Sequence, residues 1–90
     1  MNSVSARHIL VTNEYEAEDL LKKLNEGVPF EELAQKFSKC PSSARGGDLG
    51  EFKKGRMVAE FDAAAFGLAV NEVSKPIRTK FGYHLIQRYA

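Results

Sequence analysis

The two histidines of this 90-residue chain lie near its opposite ends, each inside a short apolar segment. His8 begins the segment 8–11, and His84 lies within the segment 81–86. The branched and aromatic residues of both segments favour β-strands. Because a buried imidazole needs a polar partner, we expect the two strands to be neighbours and the two rings to share one polar site. The chain must then fold so that its two ends meet.

Side chains alternate between the two faces of a strand, and this alternation gives each histidine a definite side. In the first strand, His8 and Leu10 share one face, opposite Ile9 and Val11. In the last strand, one face carries His84, Ile86 and Arg88, and the other carries Tyr83, Leu85, Gln87 and Tyr89.

Three helices are predicted between these strands. The first begins at a capping box formed by Asn13 and Glu16 and ends at Gly27. Its apolar residues recur at the spacing i, i+3, i+4 and i+7, namely Ala17, Leu20, Leu21 and Leu24. The second begins at Pro29 and has the apolar residues Phe30, Leu33, Ala34 and Phe37, and the third is short, with Val58, Phe61, Ala65 and Phe66 before Gly67.

The remaining segments predict loops and strands. Residues 38–50 have no period and many turn-forming residues, so they indicate an exposed loop that leads into a strand at 49–52. A turn follows at 53–56. Residues 73–79 have mixed strand character, and a turn at Phe81 and Gly82 predicts a hairpin with the last strand. The order of segments favours one α+β domain, residues 1–90, with an antiparallel sheet covered by helices and a polar leader at 1–5.

The overall charge gives no argument for a nucleic-acid partner, since 13 basic and 12 acidic residues leave a net charge of +1. The distribution is uneven, because residues 1–35 hold three basic and seven acidic side chains. The basic residues that follow form either a basic face or ordinary solvated surface; they include Lys36, Lys39, Arg45, Lys53, Lys54 and Arg56. With one cysteine, no signal-peptide pattern and no apolar run of membrane-spanning length, we expect a cytoplasmic monomer without an internal disulfide.

His8, His84 and Cys40 are the residues with the greatest chemical potential, and three interpretations of them stay open. They could bind a metal ion, although no close pair such as Cys-x-x-Cys marks a zinc site. They could supply the nucleophile and base of a cysteine hydrolase, although no oxyanion-hole glycine loop precedes a helix. The two histidines could also be core residues that satisfy one another.

Five segments in this order and spacing resemble the parvulin family of peptidyl-prolyl cis/trans isomerases: residues 8–11, 37–42, 45–50, 57–61 and 81–86. The resemblance implies a four-stranded antiparallel sheet surrounded by helices, in the order β-α-α-short helix-β-α-β-β. It implies that His8 and His84 are the central pair of the active site, with Cys40 and Thr79 as flanking polar residues. Four residues would line the pocket for the proline ring: Leu49, Met57, Phe61 and Phe81. Taken alone, the spacing of Met57 and Phe61 favours ordinary core.

The resemblance also implies the function. We expect rotation of Xaa-Pro bonds without a metal or other cofactor, with proline-containing peptides and unfolded or folding proteins as partners. The alternative is a non-catalytic proline-binding chaperone or adaptor. The short acidic connection 12–16 predicts a preference for uncharged or apolar residues before proline rather than phosphorylated ones. A weak peripheral contact with anionic membranes through Lys22, Lys23, Lys36 and Lys39 is a further hypothesis.

Overall fold

Eight segments of regular structure follow one another along residues 3–90, the part of the chain that the computed structural model describes. The order of helices and strands is the one that the resemblance implied, and the short helix between the second helix and the second strand is a 3-10 helix. The segments are β1 (Ser3–Val11), α1 (Glu14–Asn25), α2 (Phe30–Phe37), the 3-10 helix (Pro41–Arg45), β2 (Asp48–Lys53), α3 (Ala59–Gly67), β3 (Ile77–Thr79) and β4 (Gly82–Arg88).

The sheet is antiparallel throughout, and its strand order is β2-β1-β4-β3. The strands nearest the two ends of the chain, β1 and β4, are therefore the central pair, as the two histidines predicted. Leu10 pairs with His84, and His8 pairs with Ile86. The predicted hairpin between the last two strands is confirmed, since Thr79 of β3 pairs with Gly82 of β4.

Both faces of the sheet are buried. On one face, Ile9, Val11 and Leu85 pack with apolar residues of α1 and α2. On the other, Val4, Ala6 and Ile86 pack with residues of β2 and α3, including Phe52, Phe61 and Ala65. The predicted alternation is confirmed, and it places His8 and His84 on the face that α3 covers.

The first helix begins where the capping box predicted. The Asn13 backbone N–H donates to Glu16 Oε1 at 2.9 Å and thereby satisfies a group that the first turn leaves free. Ala17 and Leu20 are buried against the sheet, and Leu21 and Leu24 pack at the edge of the same cluster. Pro29 immediately precedes α2, as predicted.

The prediction of a polar leader at residues 1–5 is wrong for residues 3–5. These residues belong to β1, where Ser3, Val4 and Ser5 pair with the far end of β2. Their alternation directs Val4 into the core, where it is only 4% exposed. Residues 1 and 2 of the predicted leader lie outside the described residues.

The prediction of an exposed loop over residues 38–50 is also wrong in part. The 3-10 helix occupies Pro41–Arg45, and Ser42, Gly46 and Gly47 are buried. Gly47 lies against the first strand, since its carbonyl oxygen accepts the His8 backbone N–H at 2.9 Å. Its φ of +83° and its closeness to the His8 carbonyl leave no room for a side chain. The segment is thus part of the support of His8.

Gly47→Ala should destabilise the domain by about 3 kcal/mol or more, because a Cβ would overlap the His8 carbonyl oxygen in addition to the cost of the left-handed backbone. Gly50→Ala is the matched control, since its φ of +70° is equally unfavourable but a Cβ there meets nothing. The control should lose only about 1–2 kcal/mol. Urea unfolding measures both, and equal losses would show that Gly47 is not packed against His8.

Candidate active site

The two histidines meet at the centre of the sheet. Their Nδ1 atoms lie 3.0 Å apart, and the rings stack with centroids 5.2 Å apart and planes inclined by 17°. Both side chains are buried, with 5% of His8 and 4% of His84 exposed. The contact joins β1 to β4 through side chains as well as through the backbone pairing.

Thr79 extends this contact into a chain of three polar side chains. Its Oγ1 lies 2.8 Å from His84 Nε2 and also accepts the Phe81 backbone N–H at 3.1 Å. Thr79 therefore fixes the second nitrogen of His84 and the start of the turn between β3 and β4. The order of the chain is Thr79, His84, His8.

Hydrogen bonding and burial together keep this pair uncharged. Only one of the two Nδ1 atoms can carry a proton in a contact of 3.0 Å, because two N–H groups would repel. Burial and, to a smaller extent, the neighbouring His84 together lower the pKa of His8 to about 4. Burial also lowers the pKa of His84. Both rings are accordingly neutral at pH 7.

Phe61 contacts both rings edge-on. Its centroid lies 5.5 Å from that of His8 and 5.3 Å from that of His84, with interplanar angles of 77° and 86°. Phe61 is only 3% exposed and belongs to the core cluster under α3. Phe61 is thus a core residue that also contacts both histidines, so the core position favoured by its spacing and the pocket position implied by the resemblance do not exclude each other.

An open cleft of about 480 Å³ lies above this cluster. Seven of the eight predicted site residues line it: His8, Cys40, Leu49, Met57, Phe61, Phe81 and His84. Thr79 is the exception and lies behind His84. Most of the lining is apolar, so the cleft can hold a small apolar ring above a neutral polar pair.

Three comparisons with known proteins agree with this geometry. The family model of the PPIC-type PPIase domain, or rotamase, matches residues 8–90. A foldase protein PrsA from Caldanaerobacter subterraneus is 49% identical over 83 residues, which are 91% of this chain and 27% of that protein. The parvulin NmPin of Nitrosopumilus maritimus has a solved structure with a TM-score of 0.90 and 45% identity, and the match covers 100% of this chain and 98% of that one.

This chain belongs to the parvulin family. The crystal structure of the peptidylprolyl isomerase PrsA from Bacillus anthracis matches it with a TM-score of 0.97 and 42% identity, over 99% of this chain and 42% of that one. The chain therefore spans less than half of the length of these PrsA proteins: 42% of the Bacillus anthracis chain and 27% of the Caldanaerobacter protein. The four-stranded antiparallel sheet with three helices is the parvulin fold, as the sequence predicted.

In this parvulin, Cys40 lines the cleft without joining the polar chain. Its side chain is half-buried, and within residues 3–90 its thiol has no hydrogen bond to either histidine. Cys40 therefore lies in the same cleft as the two histidines. Within residues 3–90, Thr79 contacts His84 directly, and Cys40 does not. In the described part of the chain, residues 3–90, no three His, Cys, Asp or Glu side chains are grouped so that they could bind a metal ion.

The sequence prediction missed five residues that line the cleft: Leu10, Lys39, Pro41, Arg56 and Val58. Leu10 could have been found, since it shares the strand face of His8. Ser38 was missed as a support: its Oγ accepts the Leu10 backbone N–H at 3.0 Å, and the Lys39 N–H donates to the Leu10 carbonyl at 2.8 Å. These two bonds fix the segment that carries Lys39 and Cys40 against β1.

The four lysines of the membrane hypothesis line a second groove, between α1 and α2. The same groove is lined by Glu16, Asp19 and Glu26, so its charge is mixed. Lys39 lines both this groove and the cleft. Over residues 3–90, the helices are all too short or too polar to cross a bilayer.

The lowered histidine pKa values predict a stability that falls on acidification. The unfolded chain takes up protons near pH 6.5, whereas folded His8 does so only near pH 4. Stability is therefore complete above pH 6.5 and is lost between those values, by about 1.4 kcal/mol per pH unit for each neutral histidine.

Urea unfolding between pH 7 and pH 5 measures this slope. The variant His8→Gln/His84→Gln is the control, because it removes both titrating groups; its stability is lower, but its pH slope should be nearly flat in this range. An equal slope in both proteins would contradict the neutral pair.

Proposed function

We propose that this domain catalyses the cis/trans isomerisation of Xaa-Pro bonds in unfolded and folding proteins, without a covalent intermediate. The observation that carries the proposal is the neutral, buried pair of His8 and His84 beneath an apolar cleft. Because the two Nδ1 atoms contact each other, this neutral pair is poorly suited to proton transfer. It is well suited to holding a fixed arrangement of dipoles.

The energetic demand on such a site is modest. Rotation about an Xaa-Pro bond has a barrier of roughly 18–20 kcal/mol, because amide resonance is lost at the twisted geometry. A thousandfold acceleration requires the barrier to fall by only about 4 kcal/mol. Removal of water and a few oriented dipoles can supply a difference of this size.

The apolar wall of the cleft is the first contribution. Leu49, Met57 and Phe61 would hold the proline ring and exclude water from the amide. The planar amide has more charge separation than the twisted one, so the loss of water disfavours the planar ground state relative to the transition state. Phe81, which is 60% exposed at the edge of the cleft, would cover the peptide from one side.

The polar chain is the second contribution. Thr79 orients His84, and His84 orients His8, so the rings meet the peptide in a fixed position. His8 Nε2 is buried and has no hydrogen-bond partner within residues 3–90. A twisted amide gains lone-pair density on the prolyl nitrogen and turns its carbonyl, and fixed dipoles stabilise that geometry selectively. Cys40 would tune this field from the cleft wall, not attack the carbonyl.

The relatives support the same function. Their names describe foldases, a peptidylprolyl isomerase and a parvulin. Because this chain matches only about a third of the PrsA foldases, we propose for it the isomerase step and an assisting role in folding, not all activities of those proteins. The predicted monomeric state, cytoplasmic location and membrane contact stay predictions.

We further propose that the residue before proline is uncharged or apolar. That residue would lie next to the buried floor of the cleft, where a phosphate would lose its water. Residues 12–16, which follow β1 and include the first turn of α1, support this, since they carry Glu14 and Glu16 and no basic residue that could bind a phosphate.

Exchange spectroscopy on an Ala-Pro peptide tests the proposal. Substoichiometric domain should produce exchange peaks between the cis and trans forms, and a phosphoserine-proline copy of the peptide should be turned over more slowly. Binding without exchange would indicate the non-catalytic chaperone instead. Faster turnover of the phosphorylated peptide would contradict the proposed preference.

A further inference from the structure

We infer that Lys39 and Arg56 form a cationic rim around the prolyl cleft, and that this rim selects peptides with carboxylates on either side of the Xaa-Pro dipeptide. The inference rests on the proposed function, because it concerns the same cleft. The rim would give a function to part of the basic charge of the chain. The proposed isomerase mechanism does not itself need this charge.

Both cations line the cleft, and no aspartate or glutamate is among its lining residues within the described part of the chain. Lys39 comes from the segment after α2, and Arg56 from the turn between β2 and α3. Both are exposed, whereas His8, His84 and Phe61 at the floor are buried. The positive charges thus lie at the mouth of the cleft, and the floor is neutral.

Within residues 3–90, neither rim cation is paired in a salt bridge. The salt bridges found over residues 3–90 join Arg7 to Glu31 and Lys36 to Glu32, and include neither Lys39 nor Arg56. The two charges are therefore free to pair with a ligand.

Asp62 lies near Arg56 in the sequence but has another role. It is only 7% exposed, and its Oδ2 accepts the Gly55 backbone N–H at 3.0 Å. That bond ties the turn before Arg56 to α3. Asp62 consequently holds the position of the turn and forms no salt bridge with Arg56.

Further basic residues lie near Arg56 and Phe81, whereas on the other side Lys39 also lines the groove that contains Glu16, Asp19 and Glu26. Lys53 and Lys54 are exposed in the turn that carries Arg56. Lys80 lies with its Nζ 5.3 Å from the centroid of the Phe81 ring, at the edge of the cleft. Seven of the 12 acidic residues lie within residues 1–35, and none of these seven lines the cleft. Charges of one sign around a cleft raise the local concentration of oppositely charged ligands.

The geometry separates two positions of a bound peptide. The proline and the residue before it would lie against the neutral floor. An extended chain advances about 3.3–3.6 Å per residue, so the next residue on either side reaches the mouth of the cleft. A carboxylate there stays hydrated and pairs with a rim cation, which is compatible with an uncharged residue directly before proline.

The expected selectivity is several-fold. An exposed ion pair changes affinity by at most about fivefold, and two such pairs give an expected ratio of about three to ten. The effect must weaken as salt screens the charges, with a screening length of about 10 Å at 0.1 M and about 3 Å at 1 M.

Two peptides that differ only in charge test the inference. Both contain Ala-Pro; one has Glu on each side of this dipeptide, and the other has Gln. Exchange spectroscopy should give a Glu-to-Gln ratio of kcat/KM of about three to ten at low salt, and a ratio near one in about 1 M salt. Equal turnover of the two peptides at low salt would overturn the rim while leaving the proposed function intact. Turnover of neither would overturn both.

Charge-reversal variants locate the effect. Lys39→Glu/Arg56→Glu should bring the ratio below one. Lys22→Glu/Lys23→Glu is the matched control, since it makes the same change in net charge on α1, outside the residues that line the cleft. It should keep the ratio well above one. An equal fall in both variants would assign the preference to net charge and overturn the rim.

Discussion

The contact between His8 Nδ1 and His84 Nδ1 is the interaction on which the rest of the site depends. It requires β1 and β4 to be adjacent, so the two ends of the chain form the centre of the sheet. It occupies one nitrogen of each ring, and Thr79 occupies a second nitrogen of His84. Burial then keeps both rings neutral. A cleft built on this floor presents fixed dipoles and apolar walls, and these are the properties that rotation of an amide needs.

The helices and the strand face on which each histidine lies could be predicted from local sequence, because the signals for them are short-range. The capping box at Asn13 and Glu16, the apolar periods of the helices and the alternation around each histidine all depend on residues a few positions apart. The sheet order could not be predicted in this way, since it depends on contacts between distant segments. The pairing of residues 3–5 with β2 and the burial of Ser42 were missed for the same reason: their polar side chains resemble those of loops, and only tertiary packing places them inside.

The candidate site, too, could be predicted only in part. The resemblance supplied the residues of the cleft, but only the geometry separates their positions. Thr79 lies behind His84 and contacts it directly, whereas Cys40 lines the cleft and its thiol contacts neither ring within residues 3–90. For Lys39 and Arg56 the sequence left a basic face and ordinary solvated surface both open, because it cannot show that two exposed cations from different turns share one cleft. Charge around the mouth and neutrality at the floor follow from the fold.

We propose that the histidine pair acts as a neutral, positioned dipole and not as an acid or base. The pH dependence of kcat/KM for an Ala-Pro peptide without titratable groups tests it most directly, measured by exchange spectroscopy over the pH range in which the domain stays folded. The account predicts a flat profile through the usual histidine range, from about pH 6 to pH 8. A sigmoidal or bell-shaped profile with a midpoint in that range, in fully folded protein, would contradict it.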